Sequence, residues 1–261
     1  MTIAGLDPSG GAGIVADIKT FSRFGCFASA AISSVTFQNT TGVFGAEHQT
    51  AESVRKQVEA VLDDYEVAAV KTGMLPTGEI IETVADIISE RKLTNVVVDP
   101  VVRSTSGYDL IDDAALTALI EKLFPLADLI TPNIPEAERI TKMEITSAKD
   151  IEEAAKIMRE LGARNVLIKG GHGVNAECRV QNAELKARDY LVIGSEVSVF
   201  EAEYIETTAT HGTGCTLAAA ITANLALDKS LAEAVRISKE FVTEAIRTAP
   251  HIGKGNSPIN I

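Results

Sequence analysis

The middle of the chain contains the stretch Val96-Val97-Val98-Asp99, three β-branched residues followed by a carboxylate. Such a run predicts one short, buried strand. Similar runs lie on both sides of it, and amphipathic helical patterns separate them, which is typical of βα units that build a parallel sheet. The segments predicted as strands are Thr2–Ala4, Ala30–Phe37, Ala68–Lys71, Val96–Asp99, Leu129–Thr131 and Val166–Lys169.

The segments between these runs carry helix start and stop signals. Thr50 and Thr77 each precede an apolar pattern of helical spacing, so each predicts an N-cap. Ser147 and Ser230 each stand three residues before an acidic residue, which predicts a capping box. Gly162 is the expected end of the helix that follows Ser147.

The pattern changes between Gly173 and Ile205, where short runs of alternating residues predict an antiparallel hairpin or two at one sheet edge. We therefore expect an α/β fold, a three-layer α/β/α sandwich around a mostly parallel sheet with an antiparallel edge. In open α/β sheets, ligands bind beyond the carboxyl ends of the strands.

Length and composition narrow the classes of protein. The chain has 261 residues, and no linker, repeat or charge block divides it, so we expect one domain over 1–261. A net charge of −12 argues against binding to nucleic acid or anionic membranes. The three cysteines, Cys26, Cys178 and Cys215, have no metal-site spacing, and neither a leader nor a spanning segment is evident. A cytoplasmic protein is expected.

Two glycine clusters stand out. In His211-Gly-Thr-Gly-Cys215, a glycine turn enters an Ala-rich helix, so free N–H groups at the positive helix end predict an anion site. The alternative is a tight turn with Cys215 as a small core residue. The second cluster, Asp7 to Ala16, contains Gly11-x-Gly13-x-x-Ala16, a loose match to the dinucleotide fingerprint, but no acidic residue ends the second strand to hold a ribose. Two interpretations remain open for this cluster: its glycines let the backbone approach a ligand closely, or they only form a turn between strand and helix.

Polar side chains follow the predicted strands. Asp99 and Glu136 could bind a Mg²⁺ that carries nucleotide phosphates, although acidic residues there are often helix caps. Lys169 closes an apolar strand, where its charge needs an anionic partner. The amide of Gln38 offers a donor and an acceptor that match an aminopyrimidine edge, and the alternative is a bond to the nearby loop backbone. His211 could order its own loop.

Taken together, these segments resemble the hydroxymethylpyrimidine/phosphomethylpyrimidine kinases of thiamine biosynthesis, in the ribokinase-like superfamily. The resemblance runs over essentially the whole chain. The matching motifs are Thr2-Ile-Ala-Gly, Asp7-Pro-Ser-Gly-Gly-Ala-Gly-Ile, Gln38-Asn-Thr-x-Gly-Val, Lys71-Thr-Gly-Met-Leu, Val98-Asp-Pro-Val, Thr131-Pro-Asn-x-Pro-Glu-Ala, Lys169-Gly-Gly-His and Thr210-His-Gly-Thr-Gly-Cys-Thr.

The resemblance implies an ATP- and Mg²⁺-dependent kinase that phosphorylates a hydroxymethylpyrimidine and then its monophosphate, and it implies a homodimer. Cys215 would stand where ribokinase relatives hold an Asp base, and we expect the helix N-terminus to lower the pKa of its thiol. The implied site residues are Gly212, Thr213, Gly214 and Cys215 for catalysis; Gln38, Gly5, Ala12, Met74 and Val101 for the substrate; Lys169, Asn133 and Thr131 for ATP; Asp99 and Glu136 for the metal.

The sequence departs from the family pattern twice. Ser104-Thr-Ser-Gly stands where the family has Ala-Lys-Ser-Gly, so a lysine is missing near Thr105, and Arg103 is the nearest substitute. Ala209 stands where an Asn is common. The nearest alternative function is a pyridoxal kinase on the same fold, although pyridoxal lacks the amino group that Gln38 would recognise. A non-catalytic ligand-binding relative and, more distantly, a Rossmann oxidoreductase also remain open.

Overall fold

A computed structural model describes residues 1–102, 110–170 and 186–261. The strands of these residues form one nine-stranded sheet in the order β3-β2-β1-β4-β5-β6-β7-β8-β9. Their bounds are β1 Thr2–Leu6, β2 Ala30–Asn39, β3 Gly42–His48, β4 Val70–Thr72, β5 Val96–Val98, β6 Leu129–Ile130, β7 Asn165–Lys169, β8 Lys186–Ile193 and β9 Glu196–Glu203.

The described helices are α1 Gly13–Arg23, α2 Ala51–Leu62, α3 Gly78–Glu90, α4 Asp113–Ala118, α5 Ile134–Thr141, α6 Ala148–Glu160, α7 Thr213–Ala226 and α8 Leu231–Arg247. A π-helical turn and a 3₁₀ turn extend α4 to Leu126. The four predicted N-caps are confirmed, since the hydroxyls of Thr50, Thr77, Ser147 and Ser230 each accept a hydrogen bond from the first turn that they precede. The full capping box is found at Ser147, whereas Ser230 makes only the N-cap half of it. None of the described helices combines the length and apolar character that a membrane span needs.

The six predicted strands are confirmed, and the central strands β2, β1, β4, β5, β6 and β7 pair in parallel. The predicted hairpin is β8–β9, which pairs antiparallel beyond β7. A second antiparallel strand, β3, lies at the opposite edge against β2 and was not predicted. The sheet therefore has an antiparallel strand at each edge, where one such edge was expected.

Residues that alternate along the strands pack against different helical layers. Val96 and Val98 of β5 join the larger apolar cluster with α2 to α6. Val97, between them, packs with α7 and α8 on the other face, and α1 lies beside α7. This alternation is the period-2 pattern of a strand buried on both faces, and it confirms the three-layer sandwich.

The strand order places a topological switch point between β1 and β4. The chain leaves β1 for β2 on one side and later returns to β4 on the other side. Such a point opens a crevice at the carboxyl ends of the strands. The C-terminal segment closes one side of this edge, since the His211 N–H donates to the Ser257 carbonyl. The motifs at Arg103, Thr105 and His172 lie outside the described residues.

Candidate active site

A cavity of about 880 Å³ opens at the carboxyl ends of β1, β4 and β5 and the start of α7. Its size is typical of sites that enclose small molecules. The predicted site residues that line it are Gly5, Ala12, Gln38, Met74, Asp99, Val101, Asn133, Glu136, Lys169, Gly212, Thr213, Gly214 and Cys215. Thr131 is fully buried and is not part of the cavity wall.

The first turn of α7 presents open hydrogen-bond donors to the cavity. The N–H groups of Gly214 and Cys215 have no hydrogen-bond acceptor among the residues the structure describes. The Thr213 N–H already donates to the Thr210 carbonyl, so Thr213 shapes the turn and offers no free donor. Two free N–H groups at the positive end of a helix are suited to hold an anion.

Gly212 permits this turn to lie against the other glycine loop. Its φ is +83°, in the left-handed region, and a Cβ built on it would lie 1.8 Å from the Gly11 carbonyl oxygen. Any side chain would therefore push the two loops apart. Close approach of two backbones is the physical reason for a glycine at this position.

A hydrogen bond between Asp7 and His211 joins the same two loops. The Asp7 Oδ2 atom lies 2.7 Å from the His211 Nε2 and 2.9 Å from the Ala12 nitrogen. Burial pushes the pKa of Asp7 upward, but the hydrogen bonds from His211 and Ser9 hold it below its ordinary value. His211 thus orders its loop, as the sequence allowed.

Cys215 lies half-buried in the first turn of α7, on the cavity wall. Burial raises the pKa of its thiol to about 11, although the nearby Lys71 ammonium acts in the opposite direction. The prediction that the helix N-terminus lowers this pKa is therefore wrong. The cost of desolvating a thiolate outweighs the helix dipole, so the thiol keeps its proton at neutral pH.

Lys169 and Asp99 form an ion pair beside the open N–H groups. The Lys169 Nζ lies 2.9 Å from the Asp99 Oδ1, and a Cβ built on Gly214 would lie 3.2 Å from that Nζ. The Thr131 hydroxyl also donates to Asp99 Oδ1, at 3.0 Å. Thr131 therefore helps to fix the Asp99 carboxylate without itself reaching the cavity. Burial pushes the pKa of Asp99 upward, but the Lys169 ammonium holds it below its usual range.

Glu136 combines a structural role with a position on the cavity wall. It is the third residue of α5, and its Oε2 accepts from the Asn133 N–H at 2.9 Å while Asn133 Oδ1 accepts from the Glu136 N–H. This capping box is the structural alternative that the sequence left open. Burial raises the pKa of Glu136 to about 7, which the Lys169 ammonium only partly offsets.

Gln38 lies at the end of β2, at an irregularity in its pairing with β3. Its side chain borders the cavity and makes no hydrogen bond to any residue that the structure describes. The bond to loop backbone that the sequence allowed is therefore not found. Gly5, Ala12, Met74 and Val101 line the same cavity and contribute apolar surface to it.

Comparison with known proteins gives the family. The sequence profile of a family described as "Phosphomethylpyrimidine kinase" matches residues 7–260. A hydroxymethylpyrimidine/phosphomethylpyrimidine kinase of Haemophilus influenzae is 44% identical over 260 residues, which are 100% of this chain and 95% of the relative. The chain belongs to the phosphomethylpyrimidine kinase family.

Solved structures agree with this fold. A phosphomethylpyrimidine kinase from Clostridium difficile superposes with a TM-score of 0.80 at 42% identity, covering 94% of this chain and 97% of the other. An ADP complex of Bacillus subtilis pyridoxal kinase superposes with a TM-score of 0.87 at 39% identity, covering 99% and 95%. Both vitamin-kinase activities therefore occur on the fold of this phosphomethylpyrimidine kinase family member.

One end of the cavity is lined by residues that lie outside the family motifs and were not predicted from the sequence. There, α8 contributes Lys239, Val242, Thr243 and Ile246 to the wall, which also includes Ile205. Lys239 lies 2.7 Å from Asp189 of β8, and both side chains are nearly buried. The only signal that the sequence analysis used for α8 was the cap at Ser230, which says nothing about a cavity wall.

A buried lysine and aspartate were also missed as site residues. Lys71 of β4 and Asp17 of α1 form an ion pair with an Nζ–Oδ2 distance of 2.8 Å, and Lys71 borders the cavity. The same signal that drew attention to Lys169, a lysine that closes an apolar strand, is present at Lys71. Its partner lies 54 positions away on a helix and could not be found from spacing.

The carboxylates fit a Mg²⁺ that is bound mainly through a nucleotide. No group of three or more His, Cys, Asp or Glu side chains with metal-site geometry occurs in 1–102, 110–170 and 186–261. Mg²⁺ commonly uses only one or two carboxylates, with phosphates and waters as the other ligands. The two hydrogen bonds described for Asp99 both reach Oδ1, which leaves Oδ2 for a cation. A cation would also favour ionised Glu136.

Proposed function

We propose that this protein is an ATP-dependent kinase that phosphorylates 4-amino-5-hydroxymethyl-2-methylpyrimidine and then its monophosphate, in thiamine biosynthesis. One observation carries the proposal: the open N–H groups of Gly214 and Cys215 lie in the same cavity as Gln38 and the apolar wall around it. A ring alcohol bound at Gln38 can then meet a phosphoryl group held at the helix N-terminus. Membership of the family supports this assignment.

The residues contribute mainly by positioning and by stabilising charge. Phosphoryl transfer passes through a loose transition state in which charge spreads over the equatorial oxygens. The two free N–H groups and the Lys169 ammonium surround the place where that charge gathers. Cys215 is the candidate to accept the hydroxyl proton. It can do so only as the thiolate, which is a small fraction at neutral pH because burial raises the pKa of the thiol to about 11, so this contribution should grow with pH.

The second phosphorylation uses the same arrangement with a different acceptor. After the first step the acceptor is a phosphate monoester, whose oxygen is already ionised and needs no base. Charge stabilisation by Lys169 and the open N–H groups then matters more than Cys215. We propose that the nucleotide lies toward the cavity end formed by Val242 and Ile246, with its phosphates near Lys169 and Asn133.

Asp99 and Glu136 are the residues that would hold the Mg²⁺ of MgATP. The cation supplies charge neutralisation for the phosphates when it is bound. The protein's part is to keep the two carboxylates in place, through Thr131 and Lys169 for Asp99 and through the α5 capping box for Glu136. Thr131 therefore acts on ATP binding through Asp99.

Glu136→Gln should raise the Mg²⁺ concentration for half-maximal activity by about tenfold. A glutamine keeps the capping box, so α5 should stay folded and the loss should come from the missing negative charge. The measurement is a Mg²⁺ titration of ATP turnover. Glu233→Gln is the matched control, because Glu233 is also the third residue of a capped helix but is half-exposed and outside the cavity. Equal Mg²⁺ dependence in both variants would remove Glu136 from the metal site.

The assay that tests the proposed function compares three acceptors with MgATP: the hydroxymethylpyrimidine, its monophosphate and pyridoxal. We expect both pyrimidines to be phosphorylated with a higher kcat/KM than pyridoxal. Pyridoxal kinase is the second candidate, and the similarity to the Bacillus subtilis enzyme supports it. A preference for pyridoxal would replace the proposal by this candidate. If none of the three acceptors supports ATP turnover, a non-catalytic relative would be favoured.

Gln38→Met should weaken the use of the aminopyrimidine far more than that of pyridoxal. The variant leaves the amino and ring nitrogens of the bound pyrimidine without a partner, which costs about 1–3 kcal/mol, or roughly 5- to 150-fold in kcat/KM. Pyridoxal has no amino group to lose a partner. The ratio of the two kcat/KM values is the measurement, and equal losses would mean that Gln38 only shapes the end of β2.

We also propose a homodimer that works in the cytoplasm. The hairpin of β2 and β3 exposes Phe37 and Phe44, the latter 68% accessible, and exposed aromatic side chains of this kind favour an interface. The supply of ATP and the irregular spacing of the cysteines support a cytoplasmic location.

A further inference from the structure

An ion pair with no contact to solvent lies under the cavity. The Lys71 Nζ is 2.8 Å from Asp17 Oδ2 and 3.1 Å from Oδ1, and both side chains have 0% exposure. The Thr2 hydroxyl donates to the same Oδ2 at 2.6 Å. The ammonium is therefore fixed by a bidentate contact, and the carboxylate is fixed from β1.

Stability alone gives little reason for this pair. Removing two charges from water costs several kcal/mol each, roughly as much as their attraction returns, and apolar replacements of similar size are often as stable. Lys71 also lies in a short strand directly after Val70, which belongs to the apolar core. A buried pair in such a place calls for a role beyond packing.

The position of the pair supplies that role. Lys71 borders the cavity together with Cys215 and Asp99, whereas Asp17 does not. Burial has the largest effect on the pKa of the Cys215 thiol and raises it; among the charges, Lys71 acts most strongly and lowers it, and Asp99 and Asp17 oppose it less. The pair is thus oriented in its effect: the ammonium, which borders the cavity, acts on the Cys215 thiol more strongly than the carboxylate does.

We propose that Lys71 is a positioning residue for phosphoryl transfer: its ammonium, fixed by Asp17, favours negative charge at the first turn of α7. It acts through Cys215 and the anion bound there, without direct contact to the substrate. Lys169, whose Nζ would lie 3.2 Å from a Cβ built on Gly214, supplies a second positive charge at the same turn. The charges of both lysines lower the pKa of Asp99. The proposal rests on the proposed kinase activity for its catalytic part, but its electrostatic part concerns the free protein.

The test removes both charges together. Lys71→Met alone would leave a buried carboxylate without a partner, which is strongly destabilising, whereas Lys71→Met with Asp17→Asn leaves no buried charge. Thermal unfolding checks that the double variant folds. The thiol of Cys215 is followed by its rate of alkylation with iodoacetamide at a fixed, mildly alkaline pH, in a protein that carries Cys26→Ser and Cys178→Ser. At such a pH the rate is proportional to the thiolate fraction.

We expect the double variant to alkylate roughly 3- to 10-fold more slowly, since loss of the ammonium raises the pKa of the thiol. Its kcat should fall by roughly 10- to 100-fold while KM for the pyrimidine stays unchanged, since the charge acts on the transition state. A folded double variant with the alkylation rate of the parent protein overturns the proposal. So does slower alkylation with an unchanged kcat, because the charge would then not act on transfer.

Asp17→Asn provides a second test, of the sign of the effect. It leaves the buried Lys71 ammonium without its partner, so thermal unfolding must first show that this variant folds. It keeps the ammonium and removes the opposing carboxylate, so alkylation of Cys215 should become faster. A slower or equal rate would contradict the proposed orientation. Lys239→Met with Asp189→Asn is the matched control for the alkylation readout, because it removes another nearly buried pair that is not among the groups with the largest effect on the Cys215 thiol. Alkylation needs no substrate, so a failure of the kinase assignment would leave these results interpretable.

Discussion

Gly212→Ala should lower kcat by about 10³-fold. The new Cβ would lie 1.8 Å from the Gly11 carbonyl oxygen, and the atoms nearest to it are all backbone of Gly11 and Ala12, which cannot rotate away as a side chain could. The first turn of α7 would therefore move away from the Asp7 loop, and the N–H groups of Gly214 and Cys215 would no longer face the bound phosphoryl group. The loss should fall on kcat for both phosphorylations, measured with the pyrimidine and with its monophosphate.

Gly25→Ala is the matched control for this prediction. Gly25 has a φ of +77°, close to that of Gly212, but a Cβ built on it would meet nothing within 4 Å. Its cost is the backbone strain alone, about 1 kcal/mol of stability, with kcat unchanged. If both variants lose activity equally, strain explains the effect of Gly212→Ala and the close approach of the loops does not.

Cys215→Ala should lower kcat for the alcohol by about 10²-fold near neutral pH, with little change in ATP binding. Because the thiol has a pKa of about 11, the thiolate fraction increases with pH throughout the range below that value. The kcat of the wild-type protein should therefore rise from about pH 7 to about pH 9, and that of Cys215→Ala should not.

Cys215→Asp should recover part of the activity and flatten the pH profile, since a carboxylate is ionised at neutral pH and can accept the proton. Cys26→Ser is the control, because that thiol contacts the Ala223 carbonyl at the far end of α7. A Cys215→Ala protein with the turnover and pH slope of the wild type would show that the open N–H groups act without a base. The monophosphate should be less affected than the alcohol, since its acceptor oxygen carries no proton to remove.

Much of the fold follows from short-range patterns. Strand β5 is three β-branched residues, and the caps at Thr50 and Ser147 depend on contacts within one helical turn. Strand β3 was missed because it lies at an edge, contains Gly42 and Gly45, and has half-exposed or exposed residues throughout. It has neither an apolar run nor a clean alternation to predict it.

Site residues were predictable where a local motif fixes the position of a side chain. They were not predictable where residues far apart in the sequence determine a pKa or an ion pair. Gly214 and Lys169 come directly from motifs at an element's end. The raised pKa of Cys215 arises from burial by other parts of the chain, and the Lys71–Asp17 contact joins residues 54 positions apart. Neither burial nor a pairing of this kind leaves a signature in local spacing. Thr131 follows its strand as an ATP-binding residue was expected to, but its hydroxyl donates a hydrogen bond to Asp99.

The larger apolar cluster and the cavity wall share few residues, Val102 and Ile134 among them. The larger apolar cluster, with α2, α3 and α6, lies on the face opposite to α7, whose first turn offers the free N–H groups. Substitutions at the cavity wall, such as those around Gln38, can thus alter which vitamin precursor is accepted while most of the core remains intact. Such a protein can accumulate mutations toward a new acceptor before any compensating change is required, and kinases with different vitamin substrates can diverge from one ancestor by few steps.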